Sequence, residues 1–294
     1  MPSEVHCHKC NNLCSFREDQ RIWRCLKYVS RNRAKKRKCN FSISDFHGTF
    51  LDNCHISPWK ILLFINCWLH KRFTHSEIYH NLDFSPQSSI NWRSYCSEVT
   101  LNYFENQPKI GGPGVIVEID ESKFGKSKYN RGRYVEGVWV FGCIERVSKK
   151  KFLFPLLEDP KRNSATLLPL IQRYVEPGSL IISDEWRAYS RLPSLGYQHQ
   201  TVNHSANFVD PITGAHTQNI ERLWLDVKSW VLKPGIRREY YNQYFSRYLF
   251  INTFKEGNQR LHHFLRQAAT LYPHGKDFSR PYASSDFQEL EDSE

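Results

Sequence analysis

The chain is 294 residues long and 40% hydrophobic, which is enough to bury one large core with smaller domains beside it and excludes a disordered polypeptide. The 41 lysines and arginines against 30 acidic residues leave a formal charge of +11, a balance that favours a polyanionic partner, nucleic acid first. The longest apolar run, ILLFI at 61–65, falls far short of the roughly 20 residues of a membrane span. MPSEVHCHKC lacks a signal-peptide apolar region, and nine scattered cysteines make no secreted disulfide framework. The chain therefore reads as intracellular and soluble.

The first segment holds a Cys-x-x-Cys knuckle at Cys7 and Cys10, followed by Cys25 and Cys39. Two thiolates three apart bind one tetrahedral zinc, and two more from a following hairpin close its shell. The spacing resembles a zinc ribbon with an insertion between Cys25 and Cys39, and Cys14, His6 or His8 are alternative ligands. Within the insertion Arg31, Arg33, Lys35, Lys36, Arg37 and Lys38 are nearly contiguous. Such a run suits a solvated loop, a nuclear-import signal or a phosphate-binding arm.

From Ser57 to about Asn106 the pattern predicts three short helices, two opened by Ser-Pro and one by the Thr74/Glu77 capping spacing. Tight joins suit a helix-turn-helix whose last helix enters a major groove, with Ser88, Asn91 and Arg93 near its exposed N-terminal half. NQPKIGGPGV (106–115) is a turn-rich boundary. Strands are expected over 115–122, 137–146 and 150–159, then a helix over 163–175, strands over 178–184 and 197–204, and a helix over 215–231. This is the α/β order of a ribonuclease-H-like fold, a mixed five-stranded sheet with flanking helices. An aromatic-rich helical extension and an acidic tail with little to bury follow.

Three carboxylates stand out. Asp120 lies in the first strand, Asp184 closes LIISD, and Glu221 sits awkwardly beside the apolar stripe of the 215–231 helix. If the sheet brings them together, their repulsion requires cations. Oxygen-only ligands suit Mg²⁺ or Mn²⁺, and a pair of such ions supports phosphodiester chemistry. On that reading the helix packs on the sheet and aims Glu221 at the metals. Glu121 and Glu185, each next to an Asp of the set, should point elsewhere.

VEIDESKFGKSKYNRGR, LIISDEWRAY and HTQNIERLWLDVK together resemble the three signature blocks of Merlin-superfamily DDE transposases and their bacterial insertion-sequence relatives, and CNFSISDFHGTFLDN resembles that family's N-terminal zinc-ribbon region. The resemblance covers roughly residues 5–255. It implies that Asp120, Asp184 and Glu221 are the metal-binding triad with two Mg²⁺ or Mn²⁺ ions, 36 residues separating the second acid from the third. Some relatives carry Asn and a downstream Lys in place of the third acid, and Asn219 and Lys228 stand near Glu221. The carboxylate is the better ligand for a hard cation. Lys228, on a similar helical face, and the basic loop of Lys123, Lys126, Lys128, Arg131 and Arg133 are placed to hold DNA. His216 could orient the Glu221 helix or touch the scissile phosphate, and a capping or buried role suits it better.

The expected organisation is a zinc-ribbon-like segment (1–50) holding one structural zinc, a helix-turn-helix-like domain (56–106), a ribonuclease-H-like catalytic domain (113–235), a helical extension (236–276) and a disordered acidic tail (277–294). The function implied is that of a cut-and-paste DNA transposase, binding terminal inverted repeats and target DNA as a homodimer or higher oligomer and needing no membrane. It would act in the nucleus of a eukaryote or otherwise in the cytoplasm. The alternatives are a transposase-derived DNA-binding protein that no longer transposes, and a ribonuclease-H-like nuclease or resolvase.

Overall fold

The structure, a computed structural model, describes residues 4–29, 37–70, 75–125, 137–157, 162–202, 216–231 and 236–273. The expected acidic tail lies outside them. The chain divides into two compact units, residues 1–65 with 264–294, and residues 66–263. Among the described residues no helix is long and apolar enough to cross a membrane.

In the first unit, β1 (Ser15–Arg17), β2 (Ile22–Arg24) and β5 (Ser42–Ser44) form an antiparallel sheet in the order β1-β2-β5, and β3 (Tyr28–Val29) pairs with β4 (Arg37–Lys38) as a separate ribbon. So small a sheet buries little, and its core is largely sulfur: Cys7, Cys14, Cys25 and Cys39 with Val5, packed by Trp23, Phe41 and Ile43. The buried carboxylate of Asp45 accepts from the Arg21 guanidinium at 2.5 Å and from Trp23 Nε1 at 3.4 Å, tying β2 to the end of β5.

The three expected helices follow in the chain: α1 (Pro58–Leu69) and α3 (Pro86–Glu105), each opened by Ser-Pro, with α2 (His75–Leu82) between them. Ser85 caps α3, its hydroxyl accepting from the Ser88 amide at 3.0 Å, and Asp83 makes the tight join from α2 with φ 52°.

After the boundary come β6 (Ile110–Gly111), β7 (Ile116–Phe124), β8 (Val138–Glu145), β9 (Lys151–Pro155), α4 (Ser164–Tyr174), β10 (Val175–Glu176), β11 (Leu180–Asp184), β12 (Gln198–Val202), α5 (Gln218–Trp230), α6 (Tyr241–Thr253) and α7 (Gly257–Leu271). β6 and β10 form a short parallel pair. The main sheet runs β12-β11-β7-β8-β9, with β7, β8 and β9 antiparallel and β11 and β12 parallel to β7. This is the mixed five-stranded sheet of a ribonuclease-H-like fold.

Both faces of the sheet are covered, so its central strands are apolar on both sides. Val117, Ile119, Phe141, Cys143 and Ile181 pack on one face with Leu167, Leu168 and Ile171 of α4. Phe124, Val138 and Val140 pack on the other with Ile220, Leu223, Trp224 and Val227 of α5 and Phe245 and Leu249 of α6. Separately, α3 lies along α6, where the buried hydroxyls of Thr100 and Ser246 meet at 2.9 Å.

One carboxylate locks α5 to the sheet. Glu118, in the middle of the apolar run of β7, is fully buried. Its oxygens accept from the amides of Asn219 and Ile220 at 2.9 and 3.1 Å, from Asn219 Nδ2 at 2.7 Å and from Arg146 Nε at 2.9 Å. Arg146 also donates to the His216 carbonyl at 2.8 Å. A helix leaves its first amides without intrahelical partners, and an anion there meets both those donors and the positive end of the helix dipole.

A glycine allows the same helix to sit close. A Cβ on Gly142, which pairs with Asp120 across β7 and β8, would come within 2.6 Å of the Trp224 ring. We therefore expect Gly142→Ala to lower stability by about 1–3 kcal/mol through overpacking, read as a shift of the urea midpoint. Glu118→Ala, which strands the Arg146 charge and the α5 amides, is expected to cost about 3–5 kcal/mol in the same measurement, and wild-type stability in that variant would disprove the anchor.

Candidate active site

The register of the parallel strands sets the two aspartates together. Leu180 pairs with Ile116, Ile181 with Val117 and Ile182 with Glu118; two residues further on, Asp184 stands level with Asp120. Neighbouring strands run about 4.8 Å apart, and side chains at matched register leave on the same face. That face is the one covered by α5, since the Trp224 indole donates to Asp120 Oδ2 at 2.8 Å. Glu221 lies one turn before Trp224, in the turn that Glu118 pins, and Glu118 is two residues before Asp120 on the same side of β7. The awkward place of Glu221 in its helix thus puts it one turn from the indole that holds Asp120.

Each acid is held locally. Glu221 is half-buried and accepts from the Thr217 hydroxyl at 3.0 Å. Asp184 Oδ1 accepts from the Trp186 amide at 3.1 Å, a turn that ends β11. The three carboxylates share a face of the sheet without closing into a compact cluster. Among the described residues, the four cysteines discussed below form the group whose ligand atoms all lie within 4.8 Å of one another.

The neighbouring glutamates turn away, as strand alternation requires. Glu185 is exposed, and Glu121 is buried, accepting from the Tyr189 hydroxyl with Arg162 at 3.8 Å. Burial first, then the charges of Asp120 and Asp184, push the Glu121 carboxyl up to about 8 against the pull of Arg162. At neutral pH it is largely protonated and adds little negative charge to the site. Arg162 packs 3.7 Å from the centroid of the Trp139 ring and 4.9 Å from that of Trp186, which is exposed two residues after Asp184.

Asn219 is committed elsewhere: its amide donates to Glu118 and accepts from Lys149 Nζ at 2.6 Å. His216 is half-buried at the start of α5, with its ring Nδ1 3.8 Å from Glu118. Lys228 is exposed on α5, its ammonium 5.7 Å from the centroid of the Phe124 ring, and Lys123 is exposed near the end of β7. Lys126, Lys128, Arg131 and Arg133 lie outside the described residues, as do Arg31, Arg33, Lys35 and Lys36. Arg37 and Lys38 are exposed on β4 and Asn91 on α3. Arg93 differs from its expected exposed position: it is half-buried and faces Tyr244 of α6, because α3 lays that side against α6.

Sequence reasoning missed Glu118, Arg146 and Arg162. Glu118 carried a signal, because the alternation that placed Asp120 also places a carboxylate two residues earlier on the same face. Arg146 and Arg162 carry no periodic signal, lying respectively just after a strand and just before a helix.

The cysteines form the second candidate centre. Cys7 and Cys39 sulfurs lie 3.5 Å apart, as do those of Cys10 and Cys25, and all four sulfurs fall within 4.8 Å. A tetrahedron of Zn–S bonds about 2.3 Å long has edges of roughly 3.8 Å, so the set fits one zinc ion. The knuckle is shaped by backbone bonds from Cys10 and Asn11 to the Cys7 carbonyl, with Asn11 at φ 51°. The Lys9 amide points at the Cys7 sulfur, and a backbone hydrogen bond at Asn12 holds the Cys10 thiol down to about 7. Cys14 stands outside the set, its thiol pushed up to about 11 by burial and by the neighbouring thiols. His6 and His8 are exposed.

Residues 111–257 match the family model of the ISXO2-like transposase domain. An uncharacterized transposase-like protein of Haemophilus influenzae is 33% identical over 86 residues, 29% of this chain and 68% of the relative. Similar solved structures include the HTLV-2 integrase catalytic core domain in complex with magnesium, 15% identical over 47% of this chain and 84% of that one at a TM-score of 0.30. Another is the Mos1 transposase paired-end complex with left transposon end, 14% identical over 76% and 83% at a TM-score of 0.25. The family match takes in half of the chain, including the five strands of the main sheet, the Glu118 anchor and all three acids, and the chain therefore belongs to the ISXO2-like family of insertion-sequence DDE transposases.

Proposed function

We propose that this protein is a cut-and-paste DNA transposase whose catalytic residues are Asp120, Asp184 and Glu221. The observation that carries the reading is the β7–β11 register, which sets Asp184 level with Asp120 on the face that α5 covers. The donors are all carboxylate oxygens, a set suited to two Mg²⁺ or Mn²⁺ ions. When bound, such ions activate the attacking oxygen and stabilise the departing one.

The chain's own residues supply position and charge. Trp224 orients Asp120, and Glu118 with Arg146 fixes the turn that carries Glu221. Lys228 is exposed on the helix that carries Glu221 and Lys123 is exposed near the end of β7, and both suit backbone phosphates. Water attacks the phosphorus at the element end and frees a 3′-hydroxyl. That hydroxyl then attacks a target phosphodiester, one ester bond forming as another breaks, so no energy source is required. The sulfur-ligated segment with one zinc ion and the three-helix segment bind the terminal inverted repeats, and two copies of the chain hold paired ends.

With full-length protein, Mg²⁺ and duplex carrying the element's terminal repeat, strand nicking is expected. Asp120→Asn and Asp184→Asn are each expected to reduce it roughly a thousandfold while leaving duplex affinity nearly unchanged. Equal nicking by either variant would overturn the assignment. Metal analysis of the purified protein is expected to find one zinc per chain, lost in Cys39→Ser and kept in Cys14→Ser. Loss in Cys14→Ser would mean a different ligand set.

A further inference from the structure

Two arginines between α3 and α6 carry charges that no acid balances among the described residues. Arg93 and Arg247 are half-buried, and the Nε of each is shut off from solvent without a hydrogen-bond partner. Among the described residues neither guanidinium forms an ion pair or a side-chain hydrogen bond. The titratable groups that act on them are Tyr244, Cys96 and, for Arg247, Arg93 itself, with no carboxylate among them. Cys96 is fully buried and its thiol is pushed up by that burial, so it offers no anion.

Buried arginines are ordinarily paired, since a desolvated charge without a counter-ion is costly. Two side by side add their repulsion. Burial, then Arg93, pushes the Arg247 guanidinium down to about 10, which leaves it charged at neutral pH. Arg247 also lies 5.1 Å from the Trp68 ring centroid and 5.4 Å from that of Trp230. Aromatic walls hold the plane of a guanidinium and leave its edge donors to a ligand, and paired edge donors match the oxygens of a phosphate.

We propose that Arg93 and Arg247 form a pocket between α3 and α6 that grips a backbone phosphodiester of duplex DNA. The proposal rests on the reading of the chain as a DNA transposase, and the net charge of +11 is in keeping with it. The pocket is built from the two helices and Trp68 and Trp230, away from Asp120, Asp184 and Glu221 in its chemistry: it offers donors where they offer acceptors.

The test uses full-length protein and a random-sequence duplex, with affinity followed by fluorescence anisotropy across a potassium chloride series. Arg247→Met and Arg93→Met are each expected to bind about tenfold more weakly, with the slope of log affinity against log salt shallower by about one. Arg247→Lys, which keeps the charge but not the paired donors, should fall between. Thermal unfolding in chloride guards against a folding defect: removing an unpaired charge should leave Tm unchanged or raised, whereas a purely structural arginine would lower it. Inorganic phosphate should raise the Tm of the wild type above that in chloride of equal ionic strength, and not that of Arg247→Met. Folded Arg247→Met with wild-type affinity and slope would overturn the pocket, as would phosphate protection without any change in DNA affinity. Failure of the wild type itself to bind duplex would instead overturn the functional reading on which the pocket rests.

Discussion

The candidate site depends on the Glu118 carboxylate. It is buried in the central strand of the sheet, neutralised by Arg146, and it receives the first free amides of α5. Burying a charge is unfavourable unless all its lone pairs are used, and here four donors converge on two oxygens. Because the donors come from a helix start and from the residue just after β8, the interaction fixes where α5 begins and on which face it lies. The position of Glu221 follows from that, as does the reach of Trp224 to Asp120.

β7 then sorts its acids by parity. Glu118 and Asp120 leave towards α5, while Glu121 leaves towards α4 and the Tyr189 turn. One is neutralised by an arginine, one is oriented by an indole, and one is kept protonated by its surroundings. Three carboxylates within four residues therefore have three electrostatic states, set by what each face of the sheet offers.

Much of this was legible in the residues. The alternating runs located the five strands, the Ser-Pro starts located α1 and α3, and the knuckle at Cys7 and Cys10 with Cys25 and Cys39 identified the sulfur cluster. Asp184 announced itself by closing an apolar strand. What stayed hidden depends on long-range pairing. Glu118 reads as an interruption of an apolar run until Arg146 and the start of α5 are brought to it. Arg93 reads as an exposed helix residue until α6, some 150 positions on, covers its side of α3. The Trp139–Arg162–Trp186 stack joins a strand, a segment before a helix and a turn, and no spacing rule connects them.

The pairing of β7 with β8 runs unbroken from Val117 to Phe124. Within that stretch side chains alternate strictly, so deleting one residue ahead of Asp120 would send Glu121 to the α5 face and Asp120 into the apolar core. Substitutions here alter one side chain at a time, but a frame-preserving codon loss would invert the whole strand. Length variation among relatives should accordingly be excluded from β7.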